Sequence, residues 1–296
     1  MNNMTSKPYV GRFAPSPSGP LHFGSLIAAL GSYLQAKSQQ GTWLVRIEDI
    51  DPPREVPGAA DAILRTLESH GLLWDGELVY QSNRLDTYQT QIDRWIASGD
   101  AYYCQCTRKQ IKESGGFYAG TCRDLALSQD GTAVRLKVDE PVLAFQDVLH
   151  GNTPIPEQLA REDFIIRRRD GLFAYNLAVV MDDISEGITE VVRGADLIEP
   201  TGRQIFLYRK LGATPVSYLH LPLATGEDGG KLSKQNHAPA IDNRLAGDNL
   251  CQAMHFLGLT PDAGLAHASP AEILAWGVEN WSLSTIPKNT SIIAPF

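Results

Sequence analysis

Two short runs in this chain carry residue types suited to phosphate chemistry. The first extends from Arg12 to Ser25 and reads RFAPSPSGPLHFGS. It lies between an apolar Tyr9-Val10 stretch and a helical pattern. It would therefore present the free backbone N–H groups and the positive dipole end of a helix N-terminus. Gly24 lets a nucleotide approach the backbone closely, and His22 can donate to a phosphate. The plainer reading is a Pro-rich turn with a histidine at a helix start, and spacing alone leaves the two even. The second run is Lys231-Leu232-Ser233-Lys234-Gln235, preceded by Gly229-Gly230. Two lysines three apart on a glycine-flanked loop can neutralise a triphosphate. Alone, the same run would read as a solvated basic turn. A third group holds Cys104, Cys106 and Cys122, with Tyr118 between them. Three thiols this close favour Zn²⁺ over a disulfide in a reducing compartment. Cys251 is distant and no histidine lies in the stretch, so residue type leaves the fourth ligand open. The alternative is three buried reduced cysteines. Arg167-Arg168-Arg169, the densest basic run, could touch an RNA backbone or simply end a strand in water.

The elements that must position these groups follow from periodicity. Tyr9-Val10 predicts a short strand feeding the Pro-rich loop. Phe23, Leu26, Ile27, Leu30, Tyr33 and Leu34 recur at helical spacing, with Gly41 as the stop. Trp43 to Ile47 gives a second strand that delivers Glu48, so the start of the chain reads as a βαβ unit. Gly58 opens another helix. Asn83 is the expected cap of a helix carrying Leu85, Tyr88, Ile92 and Trp95. Residues 101–123 break the pattern and are expected to be irregular. Val134, Leu136 and Val138 alternate with Arg135 and Lys137, which predicts a half-buried strand. Residues 164–166 and 188–192 are further strands, 202–211 a helix, and 218–223 a strand leading to the lysine loop. Ser269-Pro270-Ala271-Glu272 is a capping box, and the last fifty residues are expected to be helical. Strands alternate with helices, which indicates an α/β domain with an insertion and a helical tail.

Composition bounds the alternatives. The 296 residues are 43% hydrophobic and 20% charged, which excludes a disordered or fibrous chain. No apolar run of about 18 residues exists, so no membrane-spanning helix is expected. The polar first residues lack the apolar segment of a secretory signal. Four cysteines are too few for a disulfide scaffold of this size, and a cytoplasmic setting is expected. The net charge of −8 excludes a generic nucleic-acid binder but not an RNA held on a local basic surface.

Taken together, the runs around His22 and Lys231 to Gln235 resemble the two signatures of the class I aminoacyl-tRNA synthetases. Arg46 to Asp51, reading RIEDID, points to their glutamyl branch. The resemblance extends from about residue 8 to about residue 240. It implies a doubly wound parallel sheet of the Rossmann-like kind, with ATP at the point where strand order reverses. Residues 1–100 and 186–240 would form the two halves of the catalytic domain, residues 101–185 an acceptor-binding-like insertion with the zinc cluster, and residues 241–296 the helical tail. By this resemblance His22 and Lys234 are catalytic, and His22, Gly24, Ser25, Lys231 and Lys234 hold ATP with its Mg²⁺. Arg12, Ser16, Glu48, Tyr175 and Arg193 would line a glutamate site. Glu48 would meet the ammonium, and Arg12 or Arg193 the side-chain carboxylate. Zinc-bearing members have a similar cysteine cluster in which the tyrosine can be a ligand. This gives Cys104, Cys106, Tyr118 and Cys122 as a structural Zn²⁺ site.

The chain departs from the glutamyl pattern in three places. Val179 stands where an Asn is usual, Leu197 where a Trp is usual, and Gln235 where a Ser is usual. A reshaped amino-acid pocket is expected. The chain also ends soon after the lysine loop, so no anticodon-binding domain is expected. With Ile50 to Arg54 and the zinc cluster, this resembles the glutamyl-Q tRNA(Asp) synthetase family. That family activates L-glutamate without needing tRNA and esterifies it to queuosine at the wobble position of tRNA(Asp). A monomer without a membrane partner is expected. The competing expectations are an acceptor-end glutamyl-tRNA synthetase, an adenylate-forming nucleotidyltransferase on a small carboxylate, and a synthetase-derived binding protein. The last would usually have lost motif residues that are present here.

Overall fold

The computed structural model describes residues 8–226, 229–230 and 239–294. Strand β1 (Val10–Phe13) enters the Pro-rich loop, helix α1 (Phe23–Ser38) returns, and β2 (Thr42–Ile47) lies parallel to β1. Gly11 faces Trp43 and Phe13 faces Val45 in this register. Helix α2 (Ala59–Ser69) then leads to β3 (Val79–Tyr80), which adds parallel to β2. Helix α3 (Leu85–Ser98) does not use Asn83 as its cap. Residues 81–84 form a 3₁₀ turn, Arg84 occupies the cap position, and Gln81 and Arg84 both reach the buried Asp182.

The segment expected to be irregular contains order. Strand β4 (Ala101–Cys104) pairs antiparallel with β5 (Ala133–Leu136), and between them α4 (Arg108–Glu113) starts on a Thr107/Gln110 capping box. Strand β5 is buried on both faces rather than half-buried. Arg135 is buried because its guanidinium lies 3.7 Å over the Tyr118 ring and bonds Asp163 O. The chain then forms the hairpin β6 (Ala144–Asp147) and β7 (Gly151–Pro154), helix α5 (Glu157–Arg161) and β8 (Ile165–Arg167), which pairs with β5.

Helix α6 (Tyr175–Ser185) leads to β9 (Glu190–Gly194), and α7 (Ile198–Lys210) crosses to β10 (Ser217–Leu221), parallel to β9. Strand β10 also runs parallel to β6. The two halves join where Thr189 N–H donates to Val10 O (2.9 Å) and Val10 N–H donates to Thr189 Oγ1 (2.9 Å). Neighbouring residues of one strand enter different cores. Val192 and Leu219 pack with α1, whereas Val191 and Tyr218 pack with α6 and α7. Parallel strands covered by helices on both faces require this double burial.

In the tail, α8 (Ala246–Phe256) and α9 (Pro270–Asn280) share the core of α1, and α9 starts on the Ser269/Glu272 capping box. The tail is not wholly helical. Strand β12 (Ser291–Ile293) pairs parallel with β11 (Leu223–Thr225), a three-residue pairing too short to show as periodicity. Among the described residues, no helix is long and apolar enough to cross a membrane.

Candidate active site

A cleft of about 460 Å³ opens at the carboxyl ends of β1 and β9 and at the N-terminus of α1. Arg12, Ser16, His22, Gly24, Ser25, Tyr175 and Arg193 all line it, although they span most of the sequence. Ligands of open α/β sheets bind in such crevices, outside the strands' carboxyl ends. His22 is the N-cap of α1 rather than a residue of its first turn. Its Nδ1 accepts from Ser25 N–H (3.3 Å), and its Nε2 lies 3.0 Å from Ser25 Oγ. Lys231 and Lys234 lie outside the described residues. The chain on both sides of them meets the cleft: Leu223 and Ala224 line it, and Ala240 forms an antiparallel bridge with His22.

The geometry separates the two arginines. Arg12 spends Nε and Nη2 on a two-bond pair with Asp183, each at 3.1 Å. Arg193 donates Nε–H to His220 Nε2 (3.1 Å), and Nη2 to Leu197 O (3.1 Å) and Thr201 Oγ1 (2.7 Å). A guanidinium has five N–H donors. Those of Arg193 Nη1 have no partner among the described residues, although the residue is only 5% exposed. A buried cation with an unused edge on a cleft wall suits a carboxylate ligand.

Glu48 lies on an adjoining hollow of about 290 Å³ that shares Ser16 and Ser18 with the cleft. Burial pushes its carboxyl up to about 7 against the pull of Arg46 and Arg12, and the Asp183 charge adds to the rise. Asp183 is held below the usual range. Burial opposes its charge, but Arg12 and Arg46 outweigh it. Arg46 is fully buried and bonds Asp183 (2.9 Å), Glu48 (3.3 Å) and Glu186. Leu197 lines the cleft, whereas Val179 is a core residue of α6 and does not. Of the three departures from the glutamyl pattern, Gln235 lies outside the described residues, and of the other two only Leu197 touches the cleft wall. Sequence reasoning missed Asp183, Asp147 and His220. They sit in buried apolar stretches where no spacing sets them apart.

The cysteines converge as expected. The Sγ atoms of Cys104, Cys106 and Cys122 lie within 4.8 Å of one another, and those of Cys106 and Cys122 are 3.5 Å apart. Thiolates held about 2.3 Å from one Zn²⁺ would have similar spacing. Burial and the neighbouring sulfurs push the Cys106 thiol up to about 12, so this donor set fits a cation that offsets thiolate charge. Tyr118 is buried in the same small cluster, and its hydroxyl accepts from Cys122 N–H (2.7 Å). The basic run does not form one surface. Arg167 bonds Gln89 Oε1, Arg168 bonds Asp51 and Asp170, and Arg169 bonds Gln105 O.

These features define an α/β core with a cleft at a helix N-terminus, a buried arginine in its wall and a separate cysteine cluster. The model of the catalytic domain of tRNA synthetases class I (E and Q) matches residues 9–260, and the chain belongs to that family. It is a ligase of the aminoacyl-tRNA synthetase type. Within the family it is similar to the glutamyl-Q tRNA(Asp) synthetase of Photobacterium profundum. Identity is 67% over 289 residues, covering 98% of this chain and 93% of the relative. The protein of the same name from Escherichia coli is 55% identical over 293 residues, covering 99% of this chain and 95% of its own length. A crystal structure of glutamate-tRNA synthetase from Elizabethkingia anophelis shares the fold. Its TM-score is 0.78 at 24% identity, over 97% of this chain and 68% of that one.

Proposed function

We propose that this chain activates L-glutamate with ATP, without requiring tRNA, and esterifies it to queuosine at the wobble position of tRNA(Asp). The observation that carries this reading is near-full-length similarity to glutamyl-Q tRNA(Asp) synthetases. The unused Nη1 edge of Arg193 in the cleft supports an acidic substrate.

In this reading the side-chain carboxylate of glutamate pairs with Arg193 Nη1, with Arg12 contributing electrostatically because Asp183 holds two of its nitrogens. Glu48 takes the ammonium from the adjoining hollow, and Ser16 and Tyr175 complete the walls. ATP lies on the first turn of α1, where Gly24 offers a backbone N–H group, Ser25 N–H is held by His22 Nδ1, and His22 stands at the helix start. An oxygen of the substrate α-carboxylate attacks the α-phosphorus, and the bond to the bridging oxygen of pyrophosphate breaks. His22, Lys231 and Lys234, with Mg²⁺, balance charge on the phosphates during this step. A queuosine hydroxyl then attacks the acyl carbon, AMP departs, and the hydroxyl proton leaves to solvent or to AMP. Zn²⁺ on Cys104, Cys106, Tyr118 and Cys122 would hold the loop structure beyond β4.

The test is transfer of labelled glutamate, with ATP, to two RNA pools, one from queuosine-making cells and one from cells that cannot make it. Transfer to the first pool alone supports the reading. Equal transfer to both would make the protein an acceptor-end synthetase. Pyrophosphate exchange without any RNA product would indicate a small-molecule acceptor.

A further inference from the structure

Arg193 lines the cleft with its buried Nη1 unpaired among the described residues, and its neighbours decide how the guanidinium is held. An arginine side chain has several soft torsions, and holding one orientation costs entropy unless neighbours fix it. Here three of the five donors are fixed by acceptors on three different elements. Leu197 O lies just before α7, Thr201 Oγ1 is on α7, and His220 Nε2 is on β10. The ring of Tyr218, also on β10, lies beneath the guanidinium, 5.1 Å from its carbon.

The His220 contact depends on a proton. A guanidinium can only donate, so His220 Nε2 must be the lone-pair nitrogen and its ring proton must sit on Nδ1. The partner of Nδ1 is Asp147 Oδ2 at 2.7 Å, at the end of β6. Asp147 is itself held by the backbone, with Oδ1 accepting from Leu149 N–H (2.9 Å) and His150 N–H (3.0 Å). His150 Nε2 in turn meets His220 O at 2.9 Å. His220 is fully buried, Asp147 is 3% exposed, and neither lines the cleft. The chain of contacts runs from the turn after β6, through the imidazole, to the guanidinium of Arg193 in the cleft wall.

We propose that Asp147 and His220 are positioning residues for the amino-acid site: Asp147 fixes the His220 tautomer, and His220 fixes the Arg193 guanidinium with Nη1 turned to the substrate carboxylate. The proposal rests on the reading of Arg193 as the carboxylate contact. The two residues act through Arg193 and touch no substrate. Replacing Asp147 by Asn removes the acceptor for Nδ1–H. The alternative tautomer then sets Nε2–H against Arg193 Nε–H, a donor facing a donor. The same exchange disables the Ser-His-Asp triad by favouring the wrong tautomer.

The test combines two readouts on the full-length protein. In the ligand-free state, ¹⁵N shifts of labelled histidine, with His220 assigned by its loss in His220→Gln, should show a protonated Nδ1 and a bare Nε2. In pyrophosphate exchange, Asp147→Asn and His220→Leu should raise the KM for glutamate about tenfold or more, with the KM for ATP within about twofold of wild type. His220→Gln, whose amide oxygen can still accept from Arg193 Nε, should recover much of the loss. The proposal is overturned by a proton on Nε2 in the wild type. It is equally overturned if the glutamate KM is unchanged, if both KM values rise together, or if Gln is no better than Leu. Should Asp147→Asn fail to fold, the His220 pair decides. If the wild type ignores glutamate, the functional reading fails, while the ring tautomer still decides whether the relay exists.

Discussion

At the scale of single residues, Glu48 is the group whose behaviour is most exposed to pH. Its carboxyl is pushed up to about 7 by burial, and binding an ammonium requires the carboxylate. The KM for glutamate should therefore rise as pH falls from 8 to 6, and Glu48→Gln should bind poorly across that range with no acid limb. A wild-type KM flat through this window would remove Glu48 from the ammonium contact. The effect on stability has the opposite sign. A carboxyl whose pKa is higher in the folded than in the unfolded state stabilises the fold at low pH, and loses that contribution as pH rises through about 7. Much of the site was legible at this scale, because Arg12, Ser16, His22, Gly24, Ser25, Tyr175 and Arg193 do meet in one cleft. Their partners were not. Asp183 and His220 lie within runs such as Val180-Met181-Asp182-Asp183-Ile184 and Tyr218-Leu219-His220-Leu221. There, apolar neighbours record burial but say nothing about which polar group faces which.

At the scale of elements, the cysteine cluster behaves as a unit of its own. Tyr102, Cys104, Tyr118 and Cys122 form a small core separate from the two on either side of β9 and β10. Arg135 ties it to β5, with its guanidinium over the Tyr118 ring and its Nε 3.3 Å from Cys104 Sγ. The purified protein should carry about one Zn²⁺ per chain, and Cys104→Ser with Cys106→Ser should lose it. Hydrogen exchange in that double mutant should quicken in residues 104–127 and leave β1, β2, β9 and β10 protected, since a separate cluster can open by itself. Stoichiometric zinc retained by the double mutant would overturn the ligand set. The thiol spacing made this cluster legible, but the order around it was not. Strand β4 has four residues and is held by its pairing with the distant β5, from Ala101 opposite Leu136 to Cys104 opposite Ala133, while α4 has only six residues and starts on a local capping box. The Asn83 cap failed for a related reason. Local capping preference lost to the pull of the buried Asp182 on Gln81 and Arg84.

At the scale of the whole molecule, the fold must join strands far apart in sequence, and buried charge marks the join. Val10 and Thr189 bond across 179 residues. Beside them Arg46 of β2 reaches Asp183 and Glu186 on and just after α6, while Arg12 of β1 bonds both oxygens of Asp183 and shares Oδ1 with Arg46. The βαβ start was readable from periodicity, but this meeting of the two halves was not, because no local pattern encodes which strand lies beside β1. Three arginines, Arg12, Arg46 and Arg84, here pair with four carboxyl groups, those of Glu48, Asp182, Asp183 and Glu186. Removing the guanidinium at the centre takes the paired cation from Glu48 and Glu186 and leaves Asp183 with Arg12 and Asp182 with Arg84 alone. Arg46→Met should therefore lower stability by about 3–5 kcal/mol at neutral pH, the usual cost of breaking a buried pair from one side. The cost should shrink in acid. In the wild type, Asp183 is held below its ordinary range, so its stabilising contribution is present above its unfolded pKa and fades only as pH falls through the lower, folded value. In the variant, the same carboxylates titrate upward and are neutralised by mild acid, which removes the unpaired charge. Urea unfolding of both proteins at pH 7.5 and at pH 5 measures the difference. An equal gap at the two pH values would mean that Arg46 stabilises the join by packing rather than by charge.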